Sequence, residues 1–113
     1  MKYTKLGKTD INVSVMALGS WPFGGVETWG DQDDADSIET VHAALDSGII
    51  FFDTAAAYGR SAEVLGRALK GRRDEAVIAT KLGGSQLVGD NLVRACERSL
   101  QNLQTDWIDL YQI

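Results

Sequence analysis

The chain has 113 residues, of which 44% are hydrophobic and 24% are charged, a composition typical of a globular protein. Its 11 basic and 16 acidic residues give a net charge of −5, which argues against a nucleic-acid partner. No apolar run approaches the ~18 residues of a membrane helix, and the N-terminus lacks the apolar segment of a secretory signal. Cys96 is the only cysteine, which excludes an internal disulfide and makes a cytoplasmic location the expectation.

Hydrophobic periodicity predicts a hairpin followed by alternating strands and helices. The hairpin covers residues 2–14, around the polar turn at 7–10. The predicted strands and helices alternate along the rest of the chain. The strands are 15–20, 49–53, 76–81 and 107–113, and the helices are 33–47, 61–70 and 90–103. Ser61 and Asp90 are the expected N-caps of the second and third helices, and Leu92, Cys96, Leu100 and Leu103 are expected to form the apolar stripe of the third.

This order predicts a parallel sheet with right-handed crossovers. A doubly wound open sheet and part of a (β/α)8 barrel both fit, and periodicity does not separate them. Ser20, Asp53 and Lys81 each stand at the C-terminal end of a predicted strand. Active sites of both architectures lie at that edge, so these residues are candidates for a shared site.

Three segments resemble the signatures of the aldo-keto reductases. Residues 48–66 (GIIFFDTAAAYGRSAEVLG) carry the most specific match, followed by 79–81 (ATK) and 106–113 (DWIDLYQI). The resemblance implies a (β/α)8 barrel, which takes about 250 residues. Residues 1–113 are then expected to be the N-terminal half of one barrel domain. In that family a catalytic His normally follows the last segment, and this sequence has no residue after Ile113.

The resemblance implies an NADPH-dependent reductase that converts an aldehyde or ketone to an alcohol. Tyr58 would be the general acid, Lys81 its electrostatic activator and Asp53 the anchor of Lys81. A phenol is a poor acid at neutral pH unless a nearby cation favours its anion, and a buried ammonium needs a carboxylate partner. The segment between Tyr58 and the second helix is one or two residues shorter than usual in the family, which could move Tyr58.

The expected cofactor contacts are Gly19, Ser20, Trp21 and Asp53. Trp21 either lines the nicotinamide pocket or covers the barrel mouth by packing alone, and the sequence leaves both open. Residues that grip the cofactor phosphates cannot be assigned in this chain. By resemblance, those residues and the catalytic His belong to the second half of the barrel.

Two other functions stay open. Some relatives of this fold, such as the β subunits of potassium channels, keep the cofactor pocket while serving a partner, so a regulatory or interaction subunit is the first alternative. The second is a structural half-barrel that self-associates through its open edges. In either case we expect the isolated chain to be inactive.

Other motifs favour structural interpretations. The acidic residues within 27–39 suit a helix N-terminus better than a metal site, so no metal is predicted. No G-x-G-x-x-G fingerprint is present, and both candidate P-loops carry Asp, at Asp31 and Asp90, where Lys is required. His42 lies in the middle of a predicted helix, and Cys96 lies on the apolar stripe of another, where a cysteine acts as a small hydrophobe.

Overall fold

The computed structural model describes residues 1–25, 28–83 and 89–113. Most of the predicted loop 83–89, and Glu27 of the acidic stretch, lie outside the described residues. The strands are β1 (Tyr3–Lys5), β2 (Asn12–Ser14), β3 (Ala17–Gly19), β4 (Phe51–Asp53), β5 (Val77–Lys81) and β6 (Leu110–Gln112). The helices are α1 (Asp34–Asp46), α2 (Ser61–Ala68) and α3 (Asp90–Leu103), with short 3-10 turns at Trp21–Gly24 and Arg73–Glu75. No described helix combines the length and apolarity needed to cross a bilayer.

The four later strands form a parallel sheet in the order β3-β4-β5-β6, and β1 and β2 form an antiparallel hairpin. A doubly wound sheet would reverse its strand order at a switch point. Here each strand pairs with the next strand in sequence, as successive β/α units of a barrel do. The predicted fold, the first half of a (β/α)8 barrel with an N-terminal hairpin, is confirmed.

The sheet has a buried face and a more open face. Phe52 and Ile78 point toward the helices and are fully buried there. They pack with Val41, Leu65 and Leu103 of the three helices in one hydrophobic core. Alternate residues point the other way. On that opposite face Phe51, Asp53, Val77 and Lys81 are partly exposed and Ala17 and Gly19 are exposed.

The hairpin covers the N-terminal end of this sheet. The Ser14 hydroxyl accepts hydrogen bonds from the backbone N–H groups of Ile50 (3.1 Å) and Phe51 (3.3 Å). The Tyr3 hydroxyl donates to the Gly48 carbonyl at 3.1 Å. With this end covered, the C-terminal ends of the strands remain as the accessible edge.

Several predicted boundaries were wrong at the strand ends. The strand predicted at 15–20 is only Ala17–Gly19, and Val15 and Met16 are exposed. The strand predicted at 49–53 begins at Phe51, because the Ile49 N–H bonds to the Ala44 carbonyl instead of a neighbouring strand. The strand predicted at 107–113 is Leu110–Gln112. The apolar stretches that predicted these strands extend beyond the residues that pair with a neighbouring strand.

Two of the predicted helix caps were also wrong. Asp33 caps α1 with a side-chain bond to the Ala35 N–H, but Ser61 is already the first helical residue of α2 and makes no cap bond. Gly89, not Asp90, is the N-cap of α3. The Ser61 hydroxyl has partners elsewhere, which bear on the site below.

The apolar stripe of α3 was predicted too broadly. Leu103 is 2% exposed, but Leu92 is 37% exposed. The C-terminal part of α3 lies against α2 at Gly66, where a Cβ atom would come within 2.5 Å of the Leu103 carbonyl oxygen. Close packing at this end leaves Leu92, at the other end, in solvent.

His42 has the structural role expected of it. Its Nε2 lies 2.8 Å from the carbonyl oxygen of Ala68, which joins α1 to α2. Its position on the helical layer keeps it away from the strand ends. Cys96 is partly buried on α3.

Arg73 and Asp109 join β6 to β5. The Arg73 guanidinium donates to Asp109 Oδ2 at 2.7 Å and to the Ala76 carbonyl at 2.6 Å, and it lies 4.2 Å from the centroid of the Trp107 ring. The same Asp109 oxygen accepts the Ile78 N–H at 2.9 Å. The two side chains are only 13% and 19% exposed.

We expect Arg73→Met to lower the free energy of unfolding by about 3 kcal/mol, because it leaves the carboxylate of a largely buried pair without its cation. Chemical denaturation measures the loss. Arg72→Met is the matched control and should lose clearly less, because its partners Asp46 and Glu75 are exposed. Equal losses from the two variants would contradict a special role for the Arg73 pair.

Asp34 links α1 to α2 through two arginines. Hydrogen bonds from Arg60 (2.8 Å) and Arg67 (2.6 Å) hold the pKa of the Asp34 carboxyl below its ordinary value. A lowered pKa in the folded state adds stability above the unfolded pKa and loses it as the pH falls through the folded value.

We therefore expect the parent to be more stable than Asp34→Asn at about pH 5 to 7, with the difference shrinking only below about pH 4. Denaturation curves over a pH series measure it. Asp36→Asn, in the same helical turn, controls for the lost helix charge. A difference that does not change with pH would rule out the ionised Asp34 as its source.

Candidate active site

Asp53 and Lys81 form an ion pair at the C-terminal ends of adjacent strands. Asp53 ends β4 and Lys81 ends β5. The Lys81 ammonium donates to Asp53 Oδ1 at 2.5 Å and to the Thr54 carbonyl oxygen at 3.0 Å. The side chains are 31% and 34% exposed, so the pair opens to solvent on one side. The cation is thereby fixed at the accessible edge of the sheet.

Tyr58 reaches the same place from the loop after β4. That loop is tied down by hydrogen bonds from the Ala56 N–H to the Lys81 carbonyl and from the Tyr58 N–H to the Ala55 carbonyl. Lys81 Nζ lies 5.0 Å from the centroid of the Tyr58 ring, within the range of a cation–π attraction. No hydrogen bond between the Tyr58 hydroxyl and Lys81 occurs in the described part of the chain. The structure thus brings together all three predicted catalytic residues, with the ammonium near the ring rather than bonded to the hydroxyl.

Aromatic side chains form one wall of the site. Trp21 stacks on Tyr58 with ring centroids 5.4 Å apart and an interplanar angle of 16°, and Trp29 meets Trp21 edge-on at 5.9 Å. Gly24 permits this packing, because a Cβ atom there would lie 2.0 Å from the Tyr58 carbonyl oxygen. The turn after β3 therefore limits where the Tyr58 ring can lie.

This geometry occurs in a chain whose residues 15–113 match the family model described as "Aldo/keto reductase family". The chain belongs to that family. Its residues are 45% identical, over its full length, to the aldo-keto reductase YhdN of Bacillus subtilis. Over 98% of its length they are 38% identical to the NADH-specific methylglyoxal reductase of Escherichia coli.

Solved structures of aldo-keto reductases also resemble the chain. The thermostable aldo-keto reductase Tm1743, in complex with the inhibitor epalrestat, aligns with 98% of the chain at 36% identity and a TM-score of 0.88. The Klebsiella pneumoniae aldo/keto reductase, in complex with NADP and acetate, aligns with 88% at 32% identity and a TM-score of 0.80. The match covers 42% and 35% of those chains, and 38% and 41% of the two curated relatives.

Of the cofactor contacts predicted for this aldo-keto reductase chain, Gly19 and Trp21 lie at the surface of the site. Gly19 is exposed, and a Cβ atom there would meet no atom within 4 Å. Trp21 is 41% exposed. Ser20 differs because it is fully buried and its hydroxyl donates to the Asp53 carbonyl at 2.9 Å. Its side chain therefore lies in the interior, bonded to the Asp53 backbone, and does not line the exposed surface of the site.

Gln112 is a site residue that the sequence analysis did not identify. Its Nε2 donates to Asp53 Oδ2 at 3.4 Å, so Lys81 and Gln112 contact opposite oxygens of one carboxylate. Gln112 pairs with Lys81 in the parallel ladder, which places both on the same face. The alternation of side chains along β6, combined with its register against β5, would have identified Gln112. That register cannot be predicted from the sequence of one strand alone.

Tyr111, the residue before Gln112 in β6, belongs to the opposite face. It pairs with the buried Thr80. Burial raises the pKa of the Tyr111 phenol, which makes it a poorer proton donor. Among the described residues no group of three or more His, Cys, Asp or Glu is placed to hold a metal ion.

Proposed function

We propose that this chain supplies the proton-donating part of an NADPH-dependent site that reduces an aldehyde or ketone to an alcohol. The observation that carries the proposal is the meeting of Asp53, Lys81 and Tyr58 at one strand edge, with the Lys81 ammonium 2.5 Å from the carboxylate and 5.0 Å from the phenol ring. Membership in the aldo-keto reductase family supports it.

Tyr58 is the proposed general acid. As the carbonyl oxygen of the substrate gains negative charge, the Tyr58 hydroxyl donates its proton to that oxygen and is left as a phenolate. An ammonium about 4–6 Å away favours that anion. Water at the open edge of the sheet then returns a proton to the phenolate.

Lys81 is the proposed source of that favourable charge, and Asp53, which also accepts a hydrogen bond from Gln112, holds it there. An ammonium without a partner in this half-buried position would turn toward solvent. Contacts to Asp53 and to the Thr54 carbonyl hold the ammonium beside the Tyr58 ring. In the bound complex, Nζ and the Tyr58 hydroxyl would approach each other, since catalytic hydrogen bonds often tighten only on binding.

The described residues fit a nicotinamide ring. A Cβ atom at Gly19 would meet no atom within 4 Å, so space is open at the end of β3, and Trp21, two residues further on, offers a flat ring that is 41% exposed. When bound, the reduced nicotinamide supplies the hydride that this reaction requires. We propose that Gly19, Trp21 and Asp53 contact the cofactor, with Ser20 supporting them from beneath. NADPH is proposed because the K. pneumoniae neighbour binds NADP, although the E. coli relative is NADH-specific. The cytoplasmic location stays a prediction.

Assays of the purified complete gene product test this proposal. NADPH oxidation is followed with a panel of aldehydes and ketones, and NADH is run in parallel. The proposal expects turnover that depends on the carbonyl compound. Binding of NADPH without turnover of any carbonyl compound would overturn it and support the regulatory alternative, because such a subunit keeps the pocket without the reaction.

The isolated chain of 113 residues is proposed to self-associate. In the described sheet β3 and β6 each pair on one side only, and Val15, Met16 and Trp107 are 57%, 58% and 44% exposed. Open strand edges beside apolar surface favour pairing with another chain. Sedimentation velocity at micromolar concentration should show dimers or larger species without reductase activity. A folded, cooperative monomer would contradict the association, and NADPH-dependent turnover would contradict the inactivity.

A further inference from the structure

Three hydroxyl groups form a fully buried cluster beneath the site. Ser20 follows β3, Thr54 follows β4, and Ser61 begins α2, and all three residues are 0% exposed. Ser61 Oγ lies 2.7 Å from both the carbonyl oxygen and the hydroxyl oxygen of Ser20, and 3.0 Å from the Thr54 hydroxyl. Buried hydroxyls require partners, and these three provide them for one another.

The hydrogen bonds of this cluster run in one direction, from donor to acceptor. Each hydroxyl carries one proton. Ser20 uses its proton on the Asp53 carbonyl, at 2.9 Å. The Ser20 carbonyl can only accept, so its 2.7 Å contact with the Ser61 hydroxyl uses the Ser61 proton, and Thr54 is left as the donor to Ser61. The hydrogen bonds therefore run from Thr54 to Ser61 to Ser20 and end on the backbone of Asp53, and bonds in such a chain reinforce one another.

Backbone groups of the same residues and of Asp53 make hydrogen bonds to the segments that form the site. The Thr54 carbonyl accepts the Lys81 ammonium at 3.0 Å, and the Asp53 carbonyl also accepts the Ser20 N–H at 2.9 Å. The Ser61 N–H donates to the Tyr58 carbonyl at 3.0 Å. One serine is thus linked to the segments that carry Asp53, Lys81 and Tyr58.

We propose that Ser61 is a positioning residue for proton transfer. Through Thr54 and Ser20 it holds the Asp53–Thr54 backbone in the position that gives Lys81 its two acceptors. Packing alone does not require a hydroxyl here, and Ser61 does not use it to cap α2. This inference rests on the proposed function, since the residues that Ser61 positions are those assigned to proton transfer.

Ser61→Ala in the complete gene product tests the proposal. A misplaced Lys81 should lower kcat by about tenfold to a hundredfold, with KM within about twofold, because small displacements of a catalytic group carry costs of that size. Ser99→Ala is the matched control. Ser99 is also a buried helical serine, but its hydroxyl donates to the Ala95 carbonyl of its own helix and makes no contact with Asp53, Lys81 or Tyr58 among the described hydrogen bonds. It should change neither constant.

A second readout does not depend on turnover. The side-chain ammonium signal of Lys81 is followed by NMR and identified by its loss in Lys81→Met. It should shift and exchange faster with water in Ser61→Ala, and stay unchanged in Ser99→Ala. An unchanged signal overturns the proposal, as does an unchanged kcat in an active parent. A shifted signal in a parent without reductase activity would uphold the positioning and reject only the proposed function.

Ser61→Ala leaves the Thr54 hydroxyl without its Ser61 acceptor, so a second variant covers the case in which Ser61→Ala does not fold. Thr54→Val then serves instead, since it removes the first donor of the chain and keeps the shape of the side chain. It should reproduce the loss of kcat and the altered Lys81 signal. If neither variant folds, the cluster is purely structural and the positioning role is overturned.

Discussion

Tyr58→Phe in the complete gene product is expected to lower carbonyl reduction by about 10²–10⁴-fold, the usual contribution of general acid catalysis. Phe keeps the ring that stacks on Trp21 and lies near Lys81, but it has no proton to donate. Steady-state kinetics with one aldehyde measure the loss. NADPH affinity, measured by fluorescence titration, should change by less than about twofold, since the Phe ring keeps the stacking contact with Trp21.

Tyr3→Phe is the matched control for this substitution. The Tyr3 hydroxyl lies at the opposite end of the sheet and bonds to the Gly48 carbonyl. Its removal should leave kcat near the parent value. Activity of Tyr58→Phe within twofold of the parent would exclude Tyr58 as the acid.

Lys81→Met is expected to lower kcat by about 10²–10³-fold, the range found when one group that stabilises a developing charge is removed. The substitution keeps most of the side-chain length while it removes the positive charge near the Tyr58 ring. It also leaves the Asp53 carboxylate half-buried with Gln112 as its remaining side-chain partner, so some loss of stability accompanies the loss of rate.

Two further variants separate rate from stability. Lys70→Met removes an exposed lysine after α2 and should change neither property. The double variant Asp53→Asn with Lys81→Met removes both charges and should recover stability without recovering activity. Recovery of activity by the double variant would show that the unpaired carboxylate, and not the lost ammonium, had lowered the rate.

The order of strands and helices and the meeting of Asp53 with Lys81 could be predicted from the sequence because their signals are local, whereas the choice of a barrel over a doubly wound sheet depended on the family resemblance. Asp53 and Lys81 are polar residues that directly follow apolar runs, and parallel strands bring such positions to one edge. Tyr58 lies in the segment that most specifically resembles the family. These signals depend on the order of residues along the chain and not on contacts between distant elements.

The residues around that centre could not be predicted because their partners are distant in sequence. Gln112 reaches Asp53 through the pairing of β5 with β6, and Ser61 reaches Ser20 through the packing of α2. The sequence pattern assigned Ser61 a cap because serine favours that position, and tertiary hydrogen bonds placed it one residue further into the helix. The same limit applies to Leu92, whose exposure depends on where α3 meets α2.

The most direct test of the central claim is a double-mutant cycle between Tyr58 and Lys81, measured on the single-turnover rate of carbonyl reduction. If Lys81 acts through the Tyr58 proton, its charge has nothing to assist once that proton is gone, since residues that act as a unit are strongly non-additive. We predict that Tyr58→Phe with Lys81→Met reacts within about twofold of Tyr58→Phe alone. Losses that multiply in the double variant would show that the two residues act independently, and would contradict the proposed site.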